Sequence, residues 1–261
     1  MLFLGFSSGL PILLVFSTLS VWLFKAGIDR STVTLFSWAG FAYAFKYLWS
    51  PIVDNFSIPI LKNLGHRKSW ILFSQIMIIS FLIATSFAKP SFNLIYIAIT
   101  ITLVAIFSAT QDIVIDAYRI ECATEKYQGP LSSMYIAGYR VGMLVSGAGS
   151  LWIASLLSGE IYEVSVWKNV YLIMAFLMLI GVVTTFSLDE IKKTKKKFNI
   201  DNHTKLLFAF IFALIGFIFL YNSIENPFDK NQLINQFLFS IARISLCFIF
   251  FLSIIFFLIK I

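Results

Sequence analysis

An all-α bundle embedded in a membrane is the fold class this sequence predicts, and three observations carry the prediction. Of the 261 residues, 59% are hydrophobic and only 13% are charged, whereas about a quarter are charged in ordinary soluble chains, and mean hydropathy is +0.88. Apolar runs of about 20 residues, the length a helix needs to cross the hydrocarbon core, recur from end to end. The basic residues are distributed unevenly. Twelve of the 20 Lys and Arg fall in connections on one side, five on the other, and Lys46, Arg140 and Arg243 lie within helices. Cytoplasmic loops carry such an excess, so both ends of the chain are expected in the cytoplasm. The net charge of +7 therefore reports loop topology. No basic patch interleaved with stacking aromatics points to a nucleic-acid partner.

The elements follow in order. The first helix covers about Leu2 to Phe24 and contains Gly5, Gly9 and Pro11, residues tolerated in membrane helices where neighbours satisfy the freed backbone. Two readings of them stand side by side, a discontinuity at a transport site and a packing kink. With neither a basic leader nor a small-residue cleavage site, it reads as a retained span. The second helix, about Thr32 to Asp54, holds Lys46, and the connection after it carries His66, Arg67 and Lys68. The third, about Ser69 to Ala88, is uncharged, and the fourth runs from about Asn93 through FSATQDIVIDAYR, residues 107–119. The chain breaks at Gly129 and Pro130 before the fifth helix, which extends to about Ser158 and repeats small residues at Gly138, Gly142 and Ser146. Such a ridge lets helix backbones approach closely. A sixth helix, about Val166 to Leu188, closes a six-helix body over 1–188. A basic linker over 189–205 and two further helices over 206–261 complete the chain. Trp22, Trp49, Trp70 and Trp167 fall near span ends, where an aromatic belt is expected.

Charge inside the spans carries the functional information. Asp112, Asp116 and Arg119 stand at i, i+4 and i+7, so they share a stripe of the fourth helix. Buried charge is costly in a bilayer, roughly 2.5–3.5 kcal/mol per lipid-exposed group, and such residues face an interior or an aqueous path. By helical rise, Lys46 lies roughly 12 Å above the cytoplasmic end of its helix, Asp112 roughly 10 Å above Arg119, and Arg140 roughly 15 Å in from Pro130. The three share a depth, on the second, fourth and fifth helices, while the third and sixth have no charge at that level. Lys46 and Arg140 are therefore the expected cations for an anionic substrate, and Asp112, with Asp116, is the expected proton site. A carboxylate enclosed by apolar groups holds a proton, and one beside a cation releases it, so exchange between the two settings drives coupling. Two structural alternatives remain open: a static Asp112–Arg140 bridge, and an Asp116–Arg119 pair that only anchors the helix at the rim.

These motifs carry a resemblance. GFSSGLP from Gly5, DRSTVTLFSWAGFAYAFKYLWSPIVD from Asp29, FSATQDIVIDAYR from Phe107 and GYRVGMLVSG from Gly138 closely resemble the AmpG-type muropeptide permeases of the major facilitator superfamily. The resemblance covers about Gly5 to Leu188. It implies the N-terminal six-helix half of a facilitator in the bacterial inner membrane. The expected activity is proton symport of N-acetylglucosamine–anhydro-N-acetylmuramic acid peptides into the cytoplasm for cell-wall recycling. Carried over by position, it points to Asp112, Asp116, Lys46 and Arg140 in transport, and places Asp54 with Arg67 and Lys68 in a cytoplasmic charge latch. Thr110, Gln111 and Tyr139 could hydrogen-bond a sugar that carries several carboxylates. Related acetyl-CoA carriers share part of the pattern, so an acyl-CoA-like anion is the alternative substrate.

A facilitator pairs two six-helix bodies around its site, and the last two helices here read as extra spans and not as the start of a second body. A non-transporting remnant, or a subunit completed by a homologous half, is therefore the competing reading. An enzyme is excluded on inventory: His66 and His203 lie in loops, and there is no nucleophile motif, phosphate-binding loop or metal spacing, so no cofactor is expected. Cys122 and Cys247 sit on distant segments and suggest no disulfide framework.

Overall fold

The computed structural model describes residues 1–158 and 163–189, with individual positions between 216 and 253. The chain divides into two compact units, 1–193 and 194–261. In the first unit five long helices and one segmented stretch follow one another. α1 (Leu2–Lys25), α3 (His66–Ser86), α4 (Leu94–Glu121), α5 (Glu125–Leu157) and α6 (Val164–Phe186) are long and apolar enough to cross a membrane. The segment α2, residues 30–55, is the exception.

Where a continuous second helix is expected, α2 is five short pieces: helical turns at Arg30–Leu35, Gly40–Ala44 and Ser50–Asn55 with 3₁₀ turns at Phe36–Ala39 and Lys46–Leu48. Helical geometry lapses at Phe45 (φ −103°, ψ 12°) and Trp49 (φ −104°, ψ 0°). The sequence explains both lapses. The stretch is rich in Phe, Tyr, Trp, Gly and Ser, which favour a helix weakly. Pro51 lacks an N–H and crowds the carbonyl four residues back, at Tyr47. The Ser50 hydroxyl donates to that carbonyl at 3.0 Å, so the break leaves it satisfied.

The α1–α5 contact is built the opposite way. A Cβ placed on Gly5 would lie 2.1 Å from the Tyr135 carbonyl oxygen, and one on Gly138 would lie 1.9 Å from that of Leu2. Gly9 and Gly142 meet Tyr139 and Phe6 backbone in the same manner. The two backbones touch, as small-xxx-small ridges allow. Gly5 and Gly9 thus serve packing. Pro11 is followed by a wide π turn at Leu14–Thr18, and α5 has its own at Val145–Gly149. The two wide turns are joined where Thr18 donates to the Ser146 carbonyl at 2.8 Å and meets Ser150 Oγ at 3.0 Å. Helix α5 begins at Glu125 and runs through Pro130, earlier than the Gly129–Pro130 break suggested. Glu125 suits the positive end of its dipole.

Around this pair, α3 packs on α4 and α6, and α1 also contacts α4 and α6. The core centres on Trp22, which stacks on Trp167 at 6.0 Å and meets Tyr171 at 5.1 Å. Both tryptophans are buried, so they belong to the interior and not to an aromatic belt. Polar side chains tie the helices where no water competes. Gln111 of α4 donates to Ser7 of α1 at 3.0 Å, and Thr185 of α6 donates to Gln75 of α3 at 2.9 Å.

In the second unit, the Arg243 guanidinium lies 3.8 Å from the Tyr221 ring centre and donates to the Ile224 carbonyl at 2.7 Å. An aromatic face and a carbonyl stabilise a cation that a uniformly apolar segment would not. The basic linker beyond Asp189, and most of the helices expected over 206–221 and 236–259, lie outside the described residues.

Candidate functional site

The site starts from α2 and α4. Lys46 stands on the 3₁₀ turn of α2, between the two lapses, and its Nζ reaches Asp112 Oδ2 of α4 at 3.7 Å. Asp112 is 5% exposed. Its other oxygen, Oδ1, is buried without a hydrogen-bond partner. A separation of 3.7 Å is an ion pair and not a hydrogen bond, so the carboxylate is only loosely held.

Four hydroxyls neighbour it, and a fifth, that of Ser108, adjoins one of them. Tyr43 of α2 and Ser108 of α4 adjoin, and Tyr43 faces Asp112. Ser8 of α1 lies beside both Asp112 and Tyr135 of α5, and Tyr139 faces Asp112 from α5. Tyr43, Ser108, Ser8 and Tyr135 were not singled out in the sequence, although the signal was there. Tyr43 is three residues before Lys46, Ser108 four before Asp112, and Tyr135 four before Tyr139, spacings that put each on the face of its charged or aromatic neighbour.

Not every residue expected here opens onto this space. Thr110 accepts from the Trp49 indole at 3.0 Å and donates to the Ile106 carbonyl at 2.8 Å. Gln111 donates to Ser7 and Ser8 of α1 at 3.0 and 3.4 Å. Both are buried. Their polar atoms join helices, and Trp49 serves the same joint instead of an interfacial belt.

Arg140 is exposed on α5. It makes no ion pair or hydrogen bond among the described residues, so the Asp112–Arg140 bridge is not formed and Lys46 takes that place. Matched depth does not fix rotation: Tyr139 faces the pair, and the next residue is turned about 100° around the helix. Asp116 pairs with Arg119 at 3.6 Å, and Arg119 also donates to Ser132 Oγ of α5.

One end of the bundle holds a second charge cluster. The Arg67 guanidinium bonds Asp54 at 2.6 Å and both oxygens of Glu121 at 2.6 and 3.0 Å. Such bidentate, charge-assisted contacts are the strong ones, and they bind together the ends of α2, α3 and α4. Lys68 turns elsewhere, donating to the carbonyl of Phe186 at 3.3 Å in the last turn of α6 and to that of Leu188 at 2.7 Å just beyond it. Glu121 was missed in the sequence. An acid in the last turn of a helix opposes the dipole and calls for a cation, which is the signal that could have found it.

Five helices long and apolar enough to span a membrane, a pair of close-packed glycine helices, and charge placed mid-segment on α2, α4 and α5 suit a polytopic membrane protein, and the comparisons agree. The sequence matches the Major Facilitator Superfamily over residues 1–261. The chain belongs to that superfamily. It is 36% identical over 190 residues to the anhydromuropeptide permease of Escherichia coli K12, covering 73% of this chain and 37% of that one. It is 35% identical over 208 residues to "Putative transporter AmpG 4" of Rickettsia felis, covering 80% and 49% of the two chains. The chain thus spans about half the length, or less, of these two curated relatives. Facilitators are membrane transporters, so this facilitator is a multi-pass membrane protein of the bacterial inner-membrane type and not an enzyme. Beyond the end of α4, partial burial raises the Cys122 thiol above its usual pKa, which keeps it from being a reactive thiolate.

Proposed function

We propose that this chain forms the proton-coupled, substrate-binding body of a transporter importing muropeptides, N-acetylglucosamine–anhydro-N-acetylmuramic acid peptides, for cell-wall recycling. The carrying observation is the loosely held Lys46–Asp112 pair at 3.7 Å. Its chemistry gives a coupling scheme. When a proton adds to Asp112, the carboxylate becomes a neutral acid and its attraction for Lys46 is lost. Lys46 is then free to meet a substrate carboxylate, with Arg140 as a second cation and Tyr139 as a hydrogen-bond donor. After the substrate leaves, Lys46 is drawn back as Asp112 gives up its proton. One proton therefore accompanies one anionic group. Asp116, four residues further along the same stripe and half exposed, is the next station for the departing proton. The Arg67 cluster with Asp54, and Lys68 at the end of α6, latch the cytoplasmic end.

The names of the relatives support the substrate, since one of them is an anhydromuropeptide permease. An acyl-CoA-like anion would suit the same cations. Alternating access requires two bodies, and relatives of about twice this length, together with the exposed Arg140, favour a reading in which a homologous second half completes the site. Whole-cell uptake of labelled anhydromuropeptide tests the proposal. Uptake abolished by an uncoupler, and by Asp112→Asn without loss of membrane insertion, is the expected result. Unchanged uptake by Asp112→Asn would overturn the coupling role, and uptake only on co-expression of a second half would establish the paired reading.

A further inference from the structure

At the Leu94 end of α4, a groove of about 390 Å³ opens between α2 and α4. Thr32, Leu35 and Trp38 line it from α2, and Leu94, Ile95 and Ala98 from α4, so its walls are almost wholly apolar. The α2 wall consists of two short pieces, Arg30–Leu35 and Phe36–Ala39. Leu35, Trp38 and Ile95 are each more than half exposed.

Dimensions narrow the occupant. From Thr32 to Trp38 the wall rises about 10 Å, so the volume corresponds to a mean cross-section of about 40 Å². A helix 10–12 Å across needs roughly 80–110 Å², whereas a single hydrocarbon chain fits. Arg30 is the first residue of α2 and Leu94 the first of α4. The groove therefore starts at a span end and takes up the outer part of one leaflet, whose hydrocarbon is about 15 Å deep.

The mouth adds cations. Arg30 holds its guanidinium 5.5 Å from the Phe24 ring centre. Lys89 lies in the turn that leads into α4, where its carbonyl accepts from the backbone N–H groups of Phe92 and Asn93. Both side chains are exposed, and Asp29 is the one acid in the connections 26–29 and 87–93. Among the described residues, neither cation makes an ion pair.

We propose that this groove seats one acyl chain of an anionic membrane phospholipid, whose phosphate meets Arg30 and Lys89. Within a bilayer an apolar groove gains nothing by leaving water, so packing places the tail and the two cations select the headgroup. The tail braces the first part of α2 against α4, ahead of the lapse at Phe45. The site stands apart from the Lys46–Asp112 pair and does not depend on what that pair does.

The test is photolabelling of the purified full chain in lipid nanodiscs. The probes are phosphatidylglycerol and phosphatidylcholine, each with a diazirine in its acyl chain, and labelled residues are located by mass spectrometry. Phosphatidylglycerol adducts are expected to concentrate on 32–38 and 94–98, above the level at Trp152, which is exposed elsewhere on α5. Leu35→Trp and Ala98→Phe, which fill the groove from either wall, should each lower those adducts about tenfold and leave the Trp152 label unchanged. Arg30→Gln and Lys89→Gln should each reduce the preference for phosphatidylglycerol over phosphatidylcholine about fivefold. Labelling spread evenly over exposed helix faces, or equal labelling of the groove by the two probes, would overturn the proposal. So would a groove left unlabelled while Trp152 is labelled, which would place a second copy of the chain there.

Discussion

The α1–α5 and α2–α4 contacts lie in one bundle and are made by opposite means. In the first, glycines bring two backbones together so closely that a single Cβ at Gly138 would fall 1.9 Å from a carbonyl oxygen. In the second, a helix in five pieces faces a regular one across an ion pair of 3.7 Å and several unpartnered polar atoms. The first has no slack. The second has slack and unpartnered polar atoms. Lipid supplies no hydrophobic drive between helices, so close packing holds the bundle, and the loosely satisfied face is where protonation and a ligand can act.

The comparison can be broken most severely at the tight contact. Gly138→Leu should cost at least about 4 kcal/mol, enough to lose the fold, read as loss of a monodisperse peak after detergent extraction. Gly129→Ala, whose Cβ meets nothing within 4 Å, should extract normally. At the loose contact, Lys46→Met leaves Asp112 buried without a cation. Removing one partner of a fully buried pair costs about 3–5 kcal/mol, and because the Lys46 side chain is 34% exposed, roughly half that is expected in a melting assay. Adding Asp112→Asn should recover most of the loss, since no stranded charge remains. Arg67→Ala should cost about 1–3 kcal/mol through its charged hydrogen bonds, and Arg67→Lys should restore less than half because an ammonium cannot fork between Asp54 and Glu121. The smallest effect, about 1 kcal/mol, is expected for Thr110→Val, which strands the Trp49 indole N–H. Equal losses for Gly138→Leu and Thr110→Val would erase the distinction between the two contacts.

Much of this was legible in the residues, and the parts that were not share a cause. Hydropathy and small-residue spacing identify the spans and the ridge on α5, because burial and close approach depend on residue size and polarity alone. The depth of Lys46 and Asp112 follows from helical rise. Rotation does not. Arg140 shares that depth yet is exposed, and Thr110 and Gln111 turn into helix contacts, since which way a polar side chain faces depends on neighbours that spacing along one helix does not reveal. The pieces of α2 were hidden because a run of apolar residues reads as a span whether or not it is continuous, although Pro51 marked one of its lapses. Trp22 and Trp167 look like belt residues by position along the chain and are core residues in the fold, where they stack on each other.

The central claim is that the Lys46–Asp112 pair exchanges a proton for a substrate anion. It is tested most directly by adding anhydromuropeptide to the purified protein in weakly buffered solution and following the bulk pH with an indicator. The account predicts about one proton taken up per ligand bound, and none in Asp112→Asn. Ligand binding with the same proton uptake in both proteins would contradict it.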